Sequence, residues 1–191
     1  CTGTYLKGRT IIGDVLRDSG PDGLAASGPL SGCLRELGLS LRRFKTGTPP
    51  RINARTVDFS RLELQPGDAE PEPFSFETAF APESRAVCHL AYTNEETHRV
   101  IRENLSRSPL YSGVIEGVGP RYCPSIEDKI VRFADRDSHQ VFLEPEGLDD
   151  DTIYPNGLST SLPAEVQERR ETALLGSYTP QAAVTRTNGN N

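Results

Sequence analysis

The stretch Gly117 to Phe133 reads GVGPRYCPSIEDKIVRF, and no other part of the chain is more informative about its fold. Ser125 is a favoured helix N-cap, and Asp128 follows three residues later, where a capping box places an acidic or amide side chain. Apolar residues then recur at helical spacing as far as Phe133. We therefore predict a short helix that begins after Ser125 and follows a tight, glycine-containing backbone.

Cys123 stands just ahead of this predicted helix. Free backbone N–H groups and the positive end of a helix dipole stabilise a thiolate, and the nearby cations Arg121 and Lys129 would add to that effect. The same helix start, together with Arg121, could instead hold a phosphate of a dinucleotide. In a third interpretation Cys123 is a small buried hydrophobe without chemistry. The residues alone leave these alternatives open.

A second candidate segment is Lys45 to Arg51, which reads KTGTPPR. Its two terminal cations, Lys45 and Arg51, could contact a phosphate-bearing ligand or an RNA backbone. The alternative is a rigid, solvated loop. The segment is not a P-loop, because it lacks the GxxxxGK[ST] order.

Strands and helices are predicted to alternate without a regular βαβ rhythm, so the fold class is mixed α/β (α+β). The predicted elements outside the Gly117–Phe133 stretch are two strands in residues 1–13 with a turn at Gly8, a helix around Leu30–Leu37 closed by Gly38, a strand at 39–45, a strand at 86–92, a helix capped by Thr93, a strand at 140–143 and a turn-rich segment at 153–163. Residues 56–85 are expected to be an ordered excursion in which Phe74, Phe76 and Phe80 find packing partners.

Composition narrows the class of protein further. The formal net charge is −6, which argues against a surface built wholly for nucleic acid but leaves room for a local basic patch. No apolar run is long enough to span a bilayer, no signal peptide is visible, and the four cysteines lack metal-like spacing, so reduced thiols, a cytoplasmic location and no metal are expected. The chain starts at Cys1 and contains no Met, so we expect it to be a fragment.

Several motifs resemble one family, in order and in spacing. These are KTGTPPR (45–51), YTNEETH (92–98), NLSRSPLYSGVIEGVGPRYCPSIEDK (104–129), FLEPEG (142–147) and YPNGLSTSLP (154–163). Over about residues 2–168 the chain is similar to the MnmG (GidA) family of tRNA-modifying flavoproteins. The resemblance implies an FAD/NAD(P)-binding flavoprotein fold with an inserted NAD-site domain.

The resemblance also implies an activity. The family adds a (carboxymethyl)aminomethyl group to C5 of the wobble uridine, U34, of tRNA, using FAD, NADH and methylene-tetrahydrofolate as the one-carbon donor. Its implied partners are tRNA and the GTPase MnmE, with a homodimer inside a heterotetramer and no membrane. The alternatives are a non-catalytic nucleotide- or RNA-binding module and a related flavoprotein without tRNA activity. A fragment alone is expected to be inactive.

Site residues follow from the resemblance in the same way. It implies that Cys123 is catalytic, either by attack on C6 of the uracil or as the base that removes the C5 proton. It implies an FAD contact at Ser27, although the surrounding SGPDGLAAS (19–27) lacks the arginine of the family's loop. The implied NAD segment consists of Gly119, Pro120, Arg121, Tyr122, Cys123, Pro124, Ser125, Ile126, Glu127, Asp128, Lys129, Ile130, Val131, Arg132 and Phe133.

Three segments are predicted on this basis. Residues 1–55 would belong to the FAD-binding domain, and residues 56–168 would form the inserted α+β domain with the NAD segment. Residues 169–191 do not align with the family pattern and are expected to be a flexible tail.

Overall fold

The computed structural model describes residues 3–80, 83, 85–117, 119 and 124–176, together with the backbone of residues 188–189. The strands are β1 (Thr10–Ile12), β2 (Val15–Arg17), β3 (Ile52–Asn53), β4 (Glu63–Gln65), β5 (Cys88–Tyr92), β6 (Gln140–Pro145), β7 (Thr152–Asn156) and β8 (Asn188–Gly189). The helices are α1 (Gly28–Glu36), α2 (Glu95–Glu103), α3 (Ile126–Arg132) and α4 (Ala164–Leu175). The predicted mixed α/β class is confirmed.

A five-stranded antiparallel sheet, in the order β3-β7-β6-β5-β4, supports the larger part of the fold. Strand β6 shows the expected alternation, since Val141 and Leu143 are fully buried and Phe142 between them is only partly so. Val141 and Leu143 share one apolar core with Ile101 of α2 and Ile130 of α3. The sheet and helices thus bury a common face, which fixes where α3 lies.

The second sheet has the order β2-β1-β8 and is small. Its β1–β2 hairpin turns at Gly13, whose φ of 51° suits a residue without a side chain. An ideal Cβ at Gly13 would stand 2.8 Å from Pro163 Cγ, so the hairpin packs closely against the start of α4. The sequence predicted two strands before residue 14. Instead Gly8 closes a separate turn by donating to Tyr5 O at 3.2 Å, and β2 comes after the range expected.

Helix α1 ends as predicted. Gly38 has a φ of 81° and donates its N–H to Arg35 O, and the N–H of Leu39 donates to Leu34 O. This pair of bonds is the Schellman motif, in which a glycine without a Cβ takes the left-handed conformation at low cost. Of the strand predicted at 39–45, only Phe44 and Lys45 take part in β-bridge pairing, and no full strand covers the range.

Helix α2 begins one residue later than predicted. Its N-cap is Asn94, whose side chain accepts from the Thr97 N–H at 2.8 Å. The hydroxyl of Thr93 is instead engaged with His98 Nε2, 2.8 Å away, and accepts from the His139 N–H at the same distance. Asn is as good an N-cap as Thr. The Thr93 hydroxyl is not available for capping here, because it contacts His98 and His139.

Residues 56–80 differ from the expectation of aromatic packing. Phe74, Phe76 and Phe80 are all exposed, the first two fully so. The turn-rich segment predicted at 153–163 includes most of strand β7, which has Pro155 inside it, an unusual position for proline.

Helix α4 extends the ordered fold past Glu168, after which a flexible tail was predicted. Arg170, Glu171 and Leu175 of this helix are buried, so residues 169–175 belong to the core rather than to a tail. The other predicted segment boundaries stay predictions. None of the helices among the described residues has the length and apolarity that a bilayer crossing requires.

Candidate functional site

Helix α3 carries the part of the NAD segment that the structure describes, and its start is the one predicted. The Ser125 side chain accepts from the Asp128 N–H at 3.2 Å, and the Ile126 N–H donates to Ser159 O at 2.8 Å. Ser125 is buried, as are Ile126 and Ile130, which face the core. The helix start is therefore fixed both by its own cap and by the segment after β7.

Glu127 fixes α3 to the neighbouring segments through its buried side chain. Its Oε1 accepts from the hydroxyls of Ser108 at 3.2 Å and Thr160 at 2.9 Å, and from the Ser161 N–H at 3.2 Å. The residue is completely buried, and its Oε2 has no hydrogen-bond partner. A buried carboxylate is tolerated only when donors compensate its lost hydration, so these three contacts define where α3 can sit.

A cavity of about 450 Å³ opens beside α3. Its lining combines one cation, two aromatic rings and two amide side chains, from Lys129, Phe133, Phe142, Gln140 and Asn156, next to Pro124. Burial lowers the pKa of Lys129, whose Nζ donates to Gly157 O at 3.1 Å. This mixture of flat apolar surface with a few polar groups is typical of a small-molecule site.

A second cavity, of about 520 Å³, shares the wall formed by Phe133, His139 and Gln140 and continues towards Arg136 and Tyr92. His139 Nε2 is buried there without a hydrogen-bond partner. Burial, and then the positive charges of Lys129 and Arg136, lower the pKa of His139. A neutral imidazole with an unpaired nitrogen is thus available at the junction of the two cavities, a feature that the sequence analysis missed.

Tyr111 is a further residue that sequence reasoning missed. Its hydroxyl donates to Asp128 Oδ1 at 3.3 Å. Burial, followed by the charge of Asp128, raises the pKa of Tyr111 to about 12. The phenol therefore stays protonated at neutral pH and acts as a donor to α3.

The Lys45 segment and the glycines before Cys123 lie side by side. An ideal Cβ at Gly117 would stand 2.9 Å from Arg43 O, and one at Gly119 would stand 3.8 Å from Lys45 Cδ. Gly117 also has a φ of 124°, which side chains rarely adopt. The backbone that approaches Gly117 closely is that of Arg43.

Comparisons with known proteins match the whole of this architecture. The family model described as "Glucose inhibited division protein A" (GIDA) matches residues 1–176. The chain belongs to the GidA family. The GidA-family match also runs past Glu168, in agreement with the ordered helix α4.

Two relatives are called tRNA uridine 5-carboxymethylaminomethyl modification enzyme MnmG. The one from Clostridium botulinum strain Hall is 60% identical over 92% of this chain, and the one from Geobacillus thermodenitrificans is 58% identical over 88%. The chain spans only about 28% of the length of the first relative. Two crystal forms of Aquifex aeolicus GidA superpose with TM-scores of 0.85 and 0.83 at 48% and 44% identity, over 99% of this chain and 32% and 30% of theirs.

The two possible phosphate or RNA contacts of this GidA-family chain, Lys45 and Arg51, lie in different surroundings. The guanidinium group of Arg51 makes several contacts within the protein. Its Nε lies 2.5 Å from Glu146 Oε1, and its Nη1 donates to Thr48 Oγ1 and Pro49 O. The group also lies over the Tyr154 ring, 4.3 Å from its centroid. Lys45 is buried. A phosphate or RNA contact by Lys45 or Arg51 stays a prediction, and for Arg51 it would compete with these bonds.

Of the other predicted site residues, some are described by the structure and some are not. Ser27 is described, and its backbone bonds to Tyr5 O and to the Lys7 N–H. Pro120, Arg121, Tyr122 and Cys123 lie outside the described residues, so the assignment of Cys123 stays a prediction. Among the described residues, no group of three or more His, Cys, Asp or Glu side chains could hold a metal ion.

Proposed function

We propose that this chain is part of an enzyme that uses FAD and NADH to add a (carboxymethyl)aminomethyl group to C5 of the wobble uridine of tRNA. The observation that carries the proposal is the 60% identity to an MnmG relative across 92% of the chain. Because the chain spans about 28% of that relative, the activity is proposed for a longer protein that contains it. The chain on its own would be inactive.

We propose the cavity beside α3 as the site for part of a nicotinamide dinucleotide. Lys129 would offer a cation to a phosphate, Phe133 and Phe142 would offer flat apolar surface, and Gln140 and Asn156 would pair with the edge of a base or a carboxamide. When bound, NADH would supply the hydride that reduces the flavin. Burial lowers the pKa of Lys129 and so disfavours its charged form. A phosphate bound beside it would have to stabilise the charged ammonium group.

FAD is proposed on narrower grounds. Ser27 is the FAD contact that the family resemblance places in this chain, and its backbone is held by bonds to Tyr5 and Lys7. Methylene-tetrahydrofolate is proposed as the one-carbon donor. Membership of the GidA family supports both proposals.

Cys123 is proposed as the catalytic residue. Attack of its thiolate on C6 of the uracil would make C5 nucleophilic towards a one-carbon unit, and the alternative is that the thiolate removes the C5 proton. Both roles require a thiolate, which the cations of this segment would favour. The rigid anchoring of α3 through Ser125 and Glu127 supports the proposal, because it gives the residues just ahead of the helix a fixed point of attachment.

The proposed partners are tRNA and the GTPase MnmE. The longer protein is proposed to work in the cytoplasm as a homodimer within a heterotetramer. The names of the relatives, which specify a tRNA uridine, support tRNA as the substrate.

The test uses the full-length gene product in a strain that lacks it. Nucleosides from purified tRNA are separated by liquid chromatography and identified by mass spectrometry. We expect the C5-modified wobble uridine to disappear in the deletion strain, to return with the wild-type gene and to stay absent with Cys123→Ser. Cys33→Ser is the matched control, because Cys33 is an exposed free thiol on α1. Persistence of the modified nucleoside in the deletion strain would refute the function, whereas its return with Cys123→Ser would refute only the role of Cys123.

A further inference from the structure

A small pocket between α1 and the segment that follows it is lined by four basic side chains. These belong to Lys7, Arg35, Arg42 and Arg43, and Ser31 completes the polar lining. The cavity measures about 100 Å³, below the ~300–1,000 Å³ of pockets that bury a drug-sized ligand. It therefore has room for one small group and not for a whole nucleotide.

This pocket is basic, whereas the chain as a whole carries a net negative charge. Acidic residues outnumber lysine and arginine by 27 to 21, and eight arginines elsewhere have a carboxylate within 4.0 Å. In the part of the chain that the structure describes, Lys7, Arg35 and Arg42 have none. Like charges brought together without counter-charges repel one another, and an anionic ligand relieves that repulsion.

The backbone at Lys7 is held in a strained conformation. Lys7 is the one non-glycine residue with a positive φ, 47°, among the residues that the structure describes. Its N–H donates to Ser27 O at 3.2 Å, and its carbonyl accepts from Arg43 Nη1 at 3.3 Å. Strain of this kind persists only where surrounding contacts enforce it, and it is concentrated at functional sites.

The pocket also adjoins the candidate site. Arg43 places its side chain in the pocket, while its carbonyl oxygen lies where a Cβ at Gly117 would come within 2.9 Å. Gly117 begins the GVGPRYC stretch that leads to Cys123 in the sequence. A group bound by these cations would thus lie near Gly117.

We propose that Lys7, Arg35, Arg42 and Arg43 form a binding site for one phosphate group, supplied by the backbone of the RNA substrate. This inference rests on the proposed function. Guanidinium groups bind phosphate oxygens in pairs of parallel hydrogen bonds, and the Ser31 hydroxyl adds a neutral donor. The small volume favours a single phosphodiester, since a dinucleotide would need space for two phosphates and a sugar.

The experiment measures RNA binding by the full-length gene product. A fluorescein-labelled anticodon stem-loop is titrated with protein at several salt concentrations, and its anisotropy is recorded. Arg42→Gln and Arg35→Gln are compared with Arg42→Lys, which keeps the charge. Arg17→Gln is the matched control, because it removes one exposed cation from the neighbouring hairpin without touching the pocket. Thermal melts establish that each variant is folded.

We expect Arg42→Gln to weaken RNA binding by about 5- to 10-fold and to lower the salt dependence by about one counterion. Arg42→Lys should recover part of the affinity, and Arg17→Gln should change it less than about 2-fold. Binding of FAD and NADH is titrated in parallel. Loss of dinucleotide affinity in Arg42→Gln with RNA affinity intact would support the phosphate site and reassign its ligand to the cofactor.

Two other outcomes separate this inference from the function. Unchanged affinity of Arg42→Gln and Arg35→Gln for RNA, FAD and NADH, with a wild-type protein that binds RNA, would overturn the phosphate site and leave the function standing. A wild-type protein that binds no stem-loop would overturn the RNA phosphate site, whereas the function itself stands or falls with the nucleoside assay.

Discussion

The Nζ of Lys129 donates a hydrogen bond to the carbonyl oxygen of Gly157 across 3.1 Å, which ties α3 to the turn after β7. Gly157 adopts a conformation there, with a φ of 106°, that side-chain-bearing residues rarely take. The cavity proposed for the nucleotide lies between these two elements, and both residues line it. The shape of the cavity thus depends on a glycine and a half-buried cation as well as on the helix itself.

Replacing Gly157 with alanine tests this dependence. The new Cβ would stand 2.8 Å from the carbonyl oxygen of Gln140, which is fixed in β6, and the backbone would be strained. We expect the free energy of unfolding, measured by urea titration, to fall by about 2–3 kcal/mol. Gly32→Ala is the control: Gly32 lies in α1 with open space around it, so the variant should be more stable by about 0.5–1 kcal/mol. Equal stabilities of the two variants would contradict the prediction.

Removing the carboxylate of Glu127 should be costly. Glu127→Ala removes the buried acceptor that the Ser108 and Thr160 hydroxyls and the Ser161 N–H share, so we expect the free energy of unfolding to fall by about 3 kcal/mol in urea titrations. Glu127→Gln keeps one acceptor oxygen and should cost less. Glu63→Ala, at an exposed position of β4, should stay within about 0.5 kcal/mol of the wild type. A similarly small effect of Glu127→Ala would show that the three contacts do not hold α3.

The sequence was sufficient where a local signal determines local structure. The Ser125 cap and the Gly38 helix end were predicted correctly, because capping bonds lie within a few residues of one another. Strand β7 was not predictable in this way, because its pairing with β6 and β3 is set by tertiary contacts despite the proline inside it. The cap of α2 was misplaced by one residue, because both Thr93 and Asn94 are suitable and only the packing of His98 against Thr93 decides between them.

In the candidate site, too, local features could be predicted from the sequence and tertiary contacts could not. Motifs within one stretch indicated α3 and the NAD segment. The contact between Gly117 and Arg43, 74 positions apart in the sequence numbering, depends on how the chain folds back on itself. The same holds for His139, whose unpaired nitrogen results from burial against residues of other elements and has no sequence signature.

His98 and His139 should make stability depend on pH. Their ring centroids are 5.5 Å apart. Burial lowers both pKa values, His139 further lowers that of His98, and Lys129 and Arg136 lower that of His139. A lowered pKa in the folded state means that the unfolded state binds more protons in acid, so stability rises with pH in that range.

The stabilising contribution of this pair should be fully present above the ordinary histidine pKa of about 6.5 and should be lost as pH falls through the lowered values. Urea midpoints at a series of pH values between about 5 and 8 measure it. The double variant His98→Gln/His139→Gln should lose stability at neutral pH and show a shallower decline in acid. A decline as steep as that of the wild type would assign the acid sensitivity to other groups.

The last prediction concerns Arg51, for which the sequence left a phosphate or RNA contact and a rigid, solvated loop as alternatives. In the structure its guanidinium joins Glu146, Thr48 and Pro49 and stacks on Tyr154, with only 9% of the side chain exposed. Lysine cannot reproduce the planar fork, so Arg51→Lys should reduce the free energy of unfolding by about 1–2 kcal/mol.

Arg55→Lys is the matched control, because Arg55 pairs with Asp151 at 2.5 Å but keeps 79% of its side chain exposed. An exposed pair contributes little, so we expect a change below about 0.5 kcal/mol. Both variants retain the positive charge, so the comparison isolates geometry and burial from net charge. If Arg51→Lys proves as stable as Arg55→Lys but weakens RNA binding, Arg51 serves the ligand rather than the fold, and the phosphate contact predicted from the sequence would gain support.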